Sequence, residues 1–549
     1  MQEHTLAPVG QSLIGGLLPG PSPDYTLLAR MGASDALTHR VLPWQQQGAV
    51  TVVAARGNAG KATQARLRQV FGQVAICPVA PDQFDQELLP LLQQATVARA
   101  ETLLPRDQSC RPIQQSFGLQ MTALAVVALL ALAPSAVFAA LCLVAAVLCI
   151  ANALLKFTCA VAAGRTPPPA TALADDALPV FTLFVPLLFE EDIASHLLTR
   201  MSALDYPRHK LDLCLLTEDH DATTRAALAR TTLPPWVRVI EVPAGTIRTK
   251  PRAMNYALPL ARGSIIGIYD AEDNPAPDHL RRVAAEFAAR PANVVCLQGK
   301  LDYFNASANF LTRCFTLEYA VWFRLFLPGL GRMGMVVPLG GTTLFLRDTA
   351  IRALHGWDAH NVTEDADLGI RIARAGYRTQ IIDITTQEEA NGRLWPWVKQ
   401  RSRWLKGFAM TWAAQMRDPA ALLRDIGPIR FGVLQIMLIG MLVQTLLAPL
   451  LWSMWLIVLG LPHPLTRFVA PDLLRATAIA FFAAEAVQLV TYTIGAKRAG
   501  KCGLIPWSPL MHLYFPLATA ALIKALWEMV KRPHYWDKTR HGFYAPPRA

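Results

Sequence analysis

Two hydrophobic rhythms alternate along this 549-residue chain. In residues 165–430, short β-rich runs stand between stretches with apolar residues at helical spacing. The runs are Phe181–Pro186, Leu211–Thr217, Val237–Val242, Ile265–Tyr269, Val294–Gln298, Thr342–Leu346 and Thr379–Ile384, with Glu191–Ala203 as a helix between the first two. This alternation predicts a mostly parallel sheet flanked by helices. Elsewhere the apolar runs are long and nearly free of charge: residues 112–155, 431–466, a stretch around Glu485, and 503–523. A helix over residues 121–155 would be about 50 Å long against a hydrocarbon core of about 30 Å, so two spans turning near Pro134-Ser135 fit better than one.

Charge orients these spans. Arg106 and Arg111 precede the first run, and Lys156 and Arg165 follow it. Basic flanks belong on the cytoplasmic side, which a hairpin over residues 112–157 satisfies. The loop Lys497-Arg498-Ala499-Gly500-Lys501 and the basic tail 531–549 also favour that side. Both can lie there only if the segment between them is broken or re-entrant. Five or six spans are expected, with Glu485 against a polar lumen or a partner helix. Aromatic residues Trp452, Trp455, Phe481 and Phe482 read as lipid contacts unless they face inward. A cleaved signal peptide is not expected, because Leu13–Leu18 is short and lacks a basic flank.

Composition agrees with a mixed chain. It is 53% hydrophobic and 17% charged, with a net charge of +12, and its mean hydropathy is +0.28. These values exclude a disordered chain and a purely soluble enzyme. In so apolar a chain the basic excess points to membrane flanks and lipid, not to a nucleic-acid polymer. Nine scattered cysteines without a Cys-x-x-Cys pair support neither a disulfide framework nor a thiolate zinc site.

Ligands of α/β sheets bind beyond the carboxyl ends of strands, so acids placed there matter first. Leu211–Thr217 runs into Glu218-Asp219-His220-Asp221, and Ile265–Tyr269 into Asp270-Ala271-Glu272-Asp273. Thr363-Glu364-Asp365-Ala366-Asp367 opens an amphipathic helix. Each alone is most simply a cap or turn. Together, near Lys250-Pro251-Arg252, they suit a divalent cation and a sugar-nucleotide diphosphate. The segment 394–416, with Trp395, Trp397, Arg401, Arg403, Trp404 and Trp412, reads as a basic aromatic interfacial helix, and residues 311–335 as a second.

Lys250 with Asn255, Asp270–Asp273, Thr363–Asp365 and Gln400-Arg401-Ser402-Arg403-Trp404, in that order and followed by apolar spans, resemble the processive family 2 glycosyltransferases. The cellulose synthase and β-glucan synthase group is the nearest, over residues 117–540. The resemblance implies a GT-A domain at 165–430 set between membrane helices, with a C-terminal membrane region at 431–530. It implies an inverting polymerase of a UDP-sugar, UDP-glucose first, in a bacterial inner membrane, with a growing polysaccharide acceptor and export subunits as partners. Asp365, beside Glu364, would be the general base. Glu218, Asp219, Lys250, Asp270, Gln400, Arg403 and Trp404 would bind the donor. Asp270 and Glu272 would hold Mg2+ or Mn2+, for which Asp273 could substitute. Trp404, Gly341 and Thr342 would meet the acceptor. Glu218-Asp219-His220 departs from the usual Asp-Asp-Gly, and Glu272 stands where a second Asp is usual.

Residues 1–110 read as a small α/β regulatory or docking unit: Tyr25–Arg40 helical, Ala49–Ala54 a strand, Ala62–Phe71 a helix, Val74–Pro78 a strand and Pro81–Leu92 a helix. Arg30-Met31-Gly32 and Leu42-Pro43 resemble the N-terminal domain of type II secretion and pilus ATPases, some of which bind cyclic di-GMP. Two other readings stand beside the polymerase: transfer of one sugar to a polyprenyl-phosphate lipid, and a degenerate cyclic di-GMP receptor or export scaffold.

Overall fold

The computed structural model describes residue 18, residues 22–111, 131–165, 168–190 and 193–535, and residue 544. All seven strands expected in the middle of the chain form one sheet: β4 (Phe181–Leu187), β5 (Leu211–Glu218), β6 (Val237–Val242), β7 (Ile265–Ile268), β8 (Val294–Tyr303), β9 (Leu344–Arg347) and β10 (Arg378–Glu388). The order is β10-β8-β9-β7-β4-β5-β6. Only β9 runs antiparallel to its neighbours, β7 and β8. Both faces of β4 and β5 are buried, which is why these strands read as unbroken apolar runs. From β4 the chain builds outward through β5 and β6, then returns to the other side of β4 with β7. The crevice of such a sheet opens at that reversal.

The N-terminal unit carries strands β1 (Val41–Gln47), β2 (Val50–Arg56) and β3 (Gln73–Val79) in that order. Strand β1 is not expected from the sequence, because Pro43 and a glutamine run hide it. It survives as an edge strand with its register shifted between Pro43 and Gln45. The single helix expected over 25–40 is two, Tyr25–Met31 and Ala33–His39, parted at Gly32 with φ 85°. The expected 81–92 helix is a chain of short turns, Pro81–Gln83, Phe84–Leu88 and Leu89–Leu92, leading into helix Gln93–Thr102. This unit is stapled to the sheet domain: Ser109 Oγ and Cys110 N donate to Asp358 at 2.8 and 2.6 Å, and Arg417 donates to Ser109 O at 2.7 Å.

Against five or six expected spans, three helices among the described residues are long and apolar enough to cross a membrane: Pro134–Ala162, Pro428–Leu446 and Pro471–Arg498. The first arm of the expected hairpin falls on residues 112–130, outside the described residues. Helix Pro134–Ala162 starts with its proline in the first turn, where that hairpin was expected to reverse. A fourth element, Cys502–Tyr514 with Pro516–Lys531, is bent by 47°. Both of its ends meet the sheet domain. Lys501 Nζ donates to Tyr303 O at 2.6 Å, and Lys406 Nζ donates to Tyr535 O at 2.7 Å. Both ends of the bent pair, next to the basic loop and at the start of the basic tail, thus contact the sheet domain.

Candidate active site

The sheet reversal opens into a cavity of about 280 Å³. Its floor is the turn after β7. Asp273 is fully buried and organises that turn: its Oδ2 accepts from Asp270 N at 2.8 Å and from the Thr342 hydroxyl, while its Oδ1 is buried without a hydrogen-bond partner. With Asp273 turned inward, Asp270 and Glu272 line the cavity. Lys250 starts helix Lys250–Ala257, and its ammonium pairs with Asp270 and donates to Gly341 O at 2.8 Å. Burial works against that charge, but Asp270, Glu364 and Asp365 outweigh it and hold Lys250 protonated.

The opposite wall is the Gly340-Gly341-Thr342 turn and the start of helix Glu364–Arg374. Gln298 on β8 clamps the turn, accepting from Gly340 N at 2.9 Å and donating to Thr342 O at 3.0 Å. Thr343 behind it holds a left-handed backbone with φ 50°, a strain of order 1–3 kcal/mol for a non-glycine residue. Its hydroxyl, bonded to Thr386 Oγ1 at 2.6 Å, anchors it. A Cβ added at Gly341 would stand 3.2 Å from Asp365 Oδ2 and 3.8 Å from Lys250 Nζ, so only glycine leaves that carboxylate oxygen clear. Burial raises the Asp365 carboxyl; the Ala366 amide, Lys250 and Arg403 pull it back. Burial and the neighbouring Asp365 push Glu364 up to about 7.

Helix Leu394–Gln415 closes the third side with Gln400, Arg401, Arg403 and Trp404. Gln400 accepts from Asn391 at 2.9 Å. Arg401 makes two contacts to Glu318, at 2.8 and 2.5 Å, and lies over the Trp404 ring at 5.0 Å. Trp404 in turn stacks on Tyr319, with centroids 6.2 Å apart. Neither Glu318 nor the inward, structural use of Arg401 is expected from the sequence. Glu388 and Glu389, at the end of β10, also line the cavity. The acid-after-strand rule finds them once it is applied to β10 as well as to β5 and β7. Burial, then Asp273, Glu272 and Asp270, push the Glu388 carboxyl well above the usual range. Asp270 and Glu272, with Glu388 and Glu389 also lining the cavity, are oxygen donors of the kind a hard divalent cation takes.

Ten of the twelve expected site residues therefore meet in one cavity: Lys250, Asp270, Glu272, Gly341, Thr342, Glu364, Asp365, Gln400, Arg403 and Trp404. Glu218 and Asp219 do not line it. Glu218 is buried against Arg252, Oε2 to Nη1 3.1 Å, and Asp219 accepts from Ala244 N at 2.7 Å. With His220 they form a tight trio of potential ligands, but Arg252 already serves Glu218. The reason is topological: β5 lies one strand away from the reversal.

A second cavity of about 220 Å³ lies among the apolar helices and shares Glu318, Trp322, Arg401 and Met441 with the first. Trp452, Phe481 and Glu485 face it, so two of the four aromatic residues point inward. Lys156 Nζ donates to Gln488 Oε1 at 2.7 Å, and His512 Nε2 lies 3.5 Å from Glu485.

Residues 265–494 match the family model described as glycosyl transferase family group 2. The chain is 29% identical over 239 residues to the beta-monoglucosyldiacylglycerol synthase of Synechocystis sp., covering 42% of this chain and 48% of that protein. It is 24% identical over 237 residues to the probable glycosyltransferase YdaM of Bacillus subtilis, covering 42% and 55%. Over 145 residues it is 26% identical to the probable glucomannan 4-beta-mannosyltransferase 1 of Arabidopsis thaliana, 26% of each chain. The chain spans about half the length of the first two relatives. Among solved structures, it resembles mannosyltransferase PcManGT from Pyrobaculum calidifontis in complex with GDP-Man and Mn2+, at 21% identity and a TM-score of 0.46, covering 71% of this chain and 99% of that one. The matched segment runs from β7, through Asp270, Asp365 and Trp404, into the third apolar helix, and the chain thus carries a family 2 glycosyltransferase domain.

Proposed function

We propose that this chain is a membrane-bound inverting glycosyltransferase that takes a sugar from a nucleoside diphosphate, UDP-glucose being the first donor to test, and extends a β-linked glycan. The observation that carries this reading is the convergence of Lys250, Asp270, Asp365 and Trp404 on one cavity that abuts a second among apolar helices. Asp270 and Glu272 would hold Mg2+ or Mn2+, which neutralises a diphosphate when bound. Lys250 and Arg403 add fixed positive charge where the leaving diphosphate gains negative charge. Asp365 accepts the proton of the acceptor hydroxyl as that oxygen bonds to the anomeric carbon. The bond from that carbon to the diphosphate breaks on the opposite face and its electron pair leaves with the nucleotide, so an α-linked donor gives a β-linkage. Trp404 offers a flat face to the acceptor sugar, and the Gly341 turn leaves room for its hydroxyl.

The second cavity, with its polar residues on an aromatic wall, suits a sugar chain leaving through the helices of a bacterial inner membrane toward export subunits. Its apolar share also favours a second reading, transfer of one sugar to a lipid acceptor, in line with the printed name of the Synechocystis relative. Membranes holding the chain, incubated with labelled UDP-glucose or GDP-mannose, separate these readings. Long polymer supports the first, a lipid-linked monosaccharide the second. Neither product from either donor refutes both.

A further inference from the structure

The N-terminal unit meets the loop that precedes Lys250 with the carboxylate of Glu101. Glu101, in the last turn of helix Gln93–Thr102, accepts from Thr246 N at 2.7 Å and from Thr246 Oγ1 at 2.5 Å. Its Oε1 lies 3.3 Å from Arg252 Nε. Arg252 is wholly buried; its other edge meets Glu218 at 3.1 Å, and it donates to Pro243 O. One guanidinium thus joins an acid of the N-terminal unit, an acid of the sheet domain and the carbonyl that opens loop 243–249. The fit leaves no slack: a Cβ at Gly245 would fall 2.2 Å from Glu101 Oε1 and 2.6 Å from Arg252 Nε.

That loop delivers the diphosphate-facing lysine. Thr249 caps helix Lys250–Ala257, accepting from Arg252 N at 3.4 Å, and its hydroxyl donates to Ala359 O at 2.7 Å. Lys250 is the next residue, and Arg252 lies half a turn further on. The same helix is held from the N-terminal side at its far end, where Asn255 donates to Ala100 O at 3.0 Å. Removing the Glu101 carboxylate would strip the Thr246 amide and hydroxyl of their acceptor and take the nearest charge from Arg252 Nε, which has no hydrogen-bond partner of its own, so the loop must rearrange.

We propose that Glu101 is a positioning residue: acting through Arg252 and loop 243–249, it fixes Lys250, so that this one contact of the N-terminal unit, and not its docking elsewhere, sets the affinity for the donor diphosphate. The affinity half of this rests on the reading of Lys250 given above; the positioning half does not. The test uses the full chain in nanodiscs and compares Glu101→Ala, Glu101→Gln and Arg417→Ala. The last loosens docking at residues 106–109 without touching Arg252. Backbone hydrogen exchange over 243–257 and calorimetric binding of UDP and GDP are both read. Glu101→Ala is expected to speed exchange there and weaken nucleotide binding by about tenfold each, the size of one charge-assisted hydrogen bond. Glu101→Gln should fall between, and Arg417→Ala should stay within about twofold of the parent. Unchanged exchange in both Glu101 variants, or an equal rise in Arg417→Ala, overturns the positioning role. Faster exchange with unaltered nucleotide binding overturns the control of affinity. Should the parent bind neither UDP nor GDP, the donor reading and the affinity half fall together, and exchange alone decides the positioning role.

Discussion

After β5 the chain turns through Glu218-Asp219, and after β7 through Asp270-Ala271-Glu272-Asp273. Both are acid clusters at the carboxyl ends of parallel strands, and along the chain they look equivalent. In the fold both meet a cation of helix Lys250–Ala257, and they differ in whether a cavity stands in front. Glu218 meets a buried arginine of its own domain, and Asp219 meets a backbone amide. After β7, Asp270, Glu272, Asp273 and Glu388 crowd together, with Lys250 paired to Asp270 and a cavity in front. The first cluster stands outside the cavity and is met by Arg252; the second lines it and holds more acids than Lys250 alone can balance.

The sharpest break in that comparison is Asp365→Asn. Loss of a general base should lower kcat by about 10²–10⁴-fold, while calorimetric binding of the nucleoside diphosphate stays near the parent value. Retained turnover would remove Asp365 from the chemistry. Next comes Arg252→Met, which leaves Glu101 and Glu218 buried with no cation between them. It should destabilise the fold by about 3–5 kcal/mol, measured by denaturant unfolding, whereas an architectural cluster that tolerated the change would have no need of its arginine. On the other side, Glu272→Gln should raise the Mn2+ concentration for half-maximal activity by about 10–100-fold and leave the melting temperature almost unmoved. A stability loss equal to that of Arg252→Met would erase the distinction between the clusters.

The smallest effect is in pH. Burial raises Glu218 from 4.5 to about 7, and Glu364 from 4.5 to about 7 with help from Asp365. A carboxyl raised on folding favours the folded state while it is protonated, and that contribution is lost as pH rises from the unfolded value through the folded one. The melting temperature should therefore drift down between pH 4.5 and about 7. Glu218→Gln and Glu364→Gln should each flatten part of that slope. Activity should move the other way on the acid side, because Asp365, itself raised by burial, must be unprotonated to accept a proton.

Much of the frame is legible without coordinates. The seven middle strands are β-rich, and those at the centre of the sheet, β4 and β5, are buried on both faces, so their apolar runs announce them. Thr363-Glu364-Asp365 and Gln400–Trp404 open or lie on helices with clear periodicity. Strand β1 is hidden because its proline and glutamines suit only a shifted edge strand. The short turns over 81–92 are hidden because proline at 90 breaks a pattern that otherwise looks helical. Of the five or six expected spans, three long apolar helices and one bent pair fall among the described residues, and residues 112–130 lie outside them.

The sequence by itself determined which acids follow strands, which helices are apolar, and in what order the pieces come, because local periodicity and charge are written residue by residue. Only the tertiary structure decided which acid cluster faces a cavity, that Arg252 answers both Glu218 and Glu101, and that Arg401 is spent on Glu318. Those outcomes depend on strand order and on pairs far apart in the chain, and electrostatic partners are chosen by distance in space, which no linear spacing encodes.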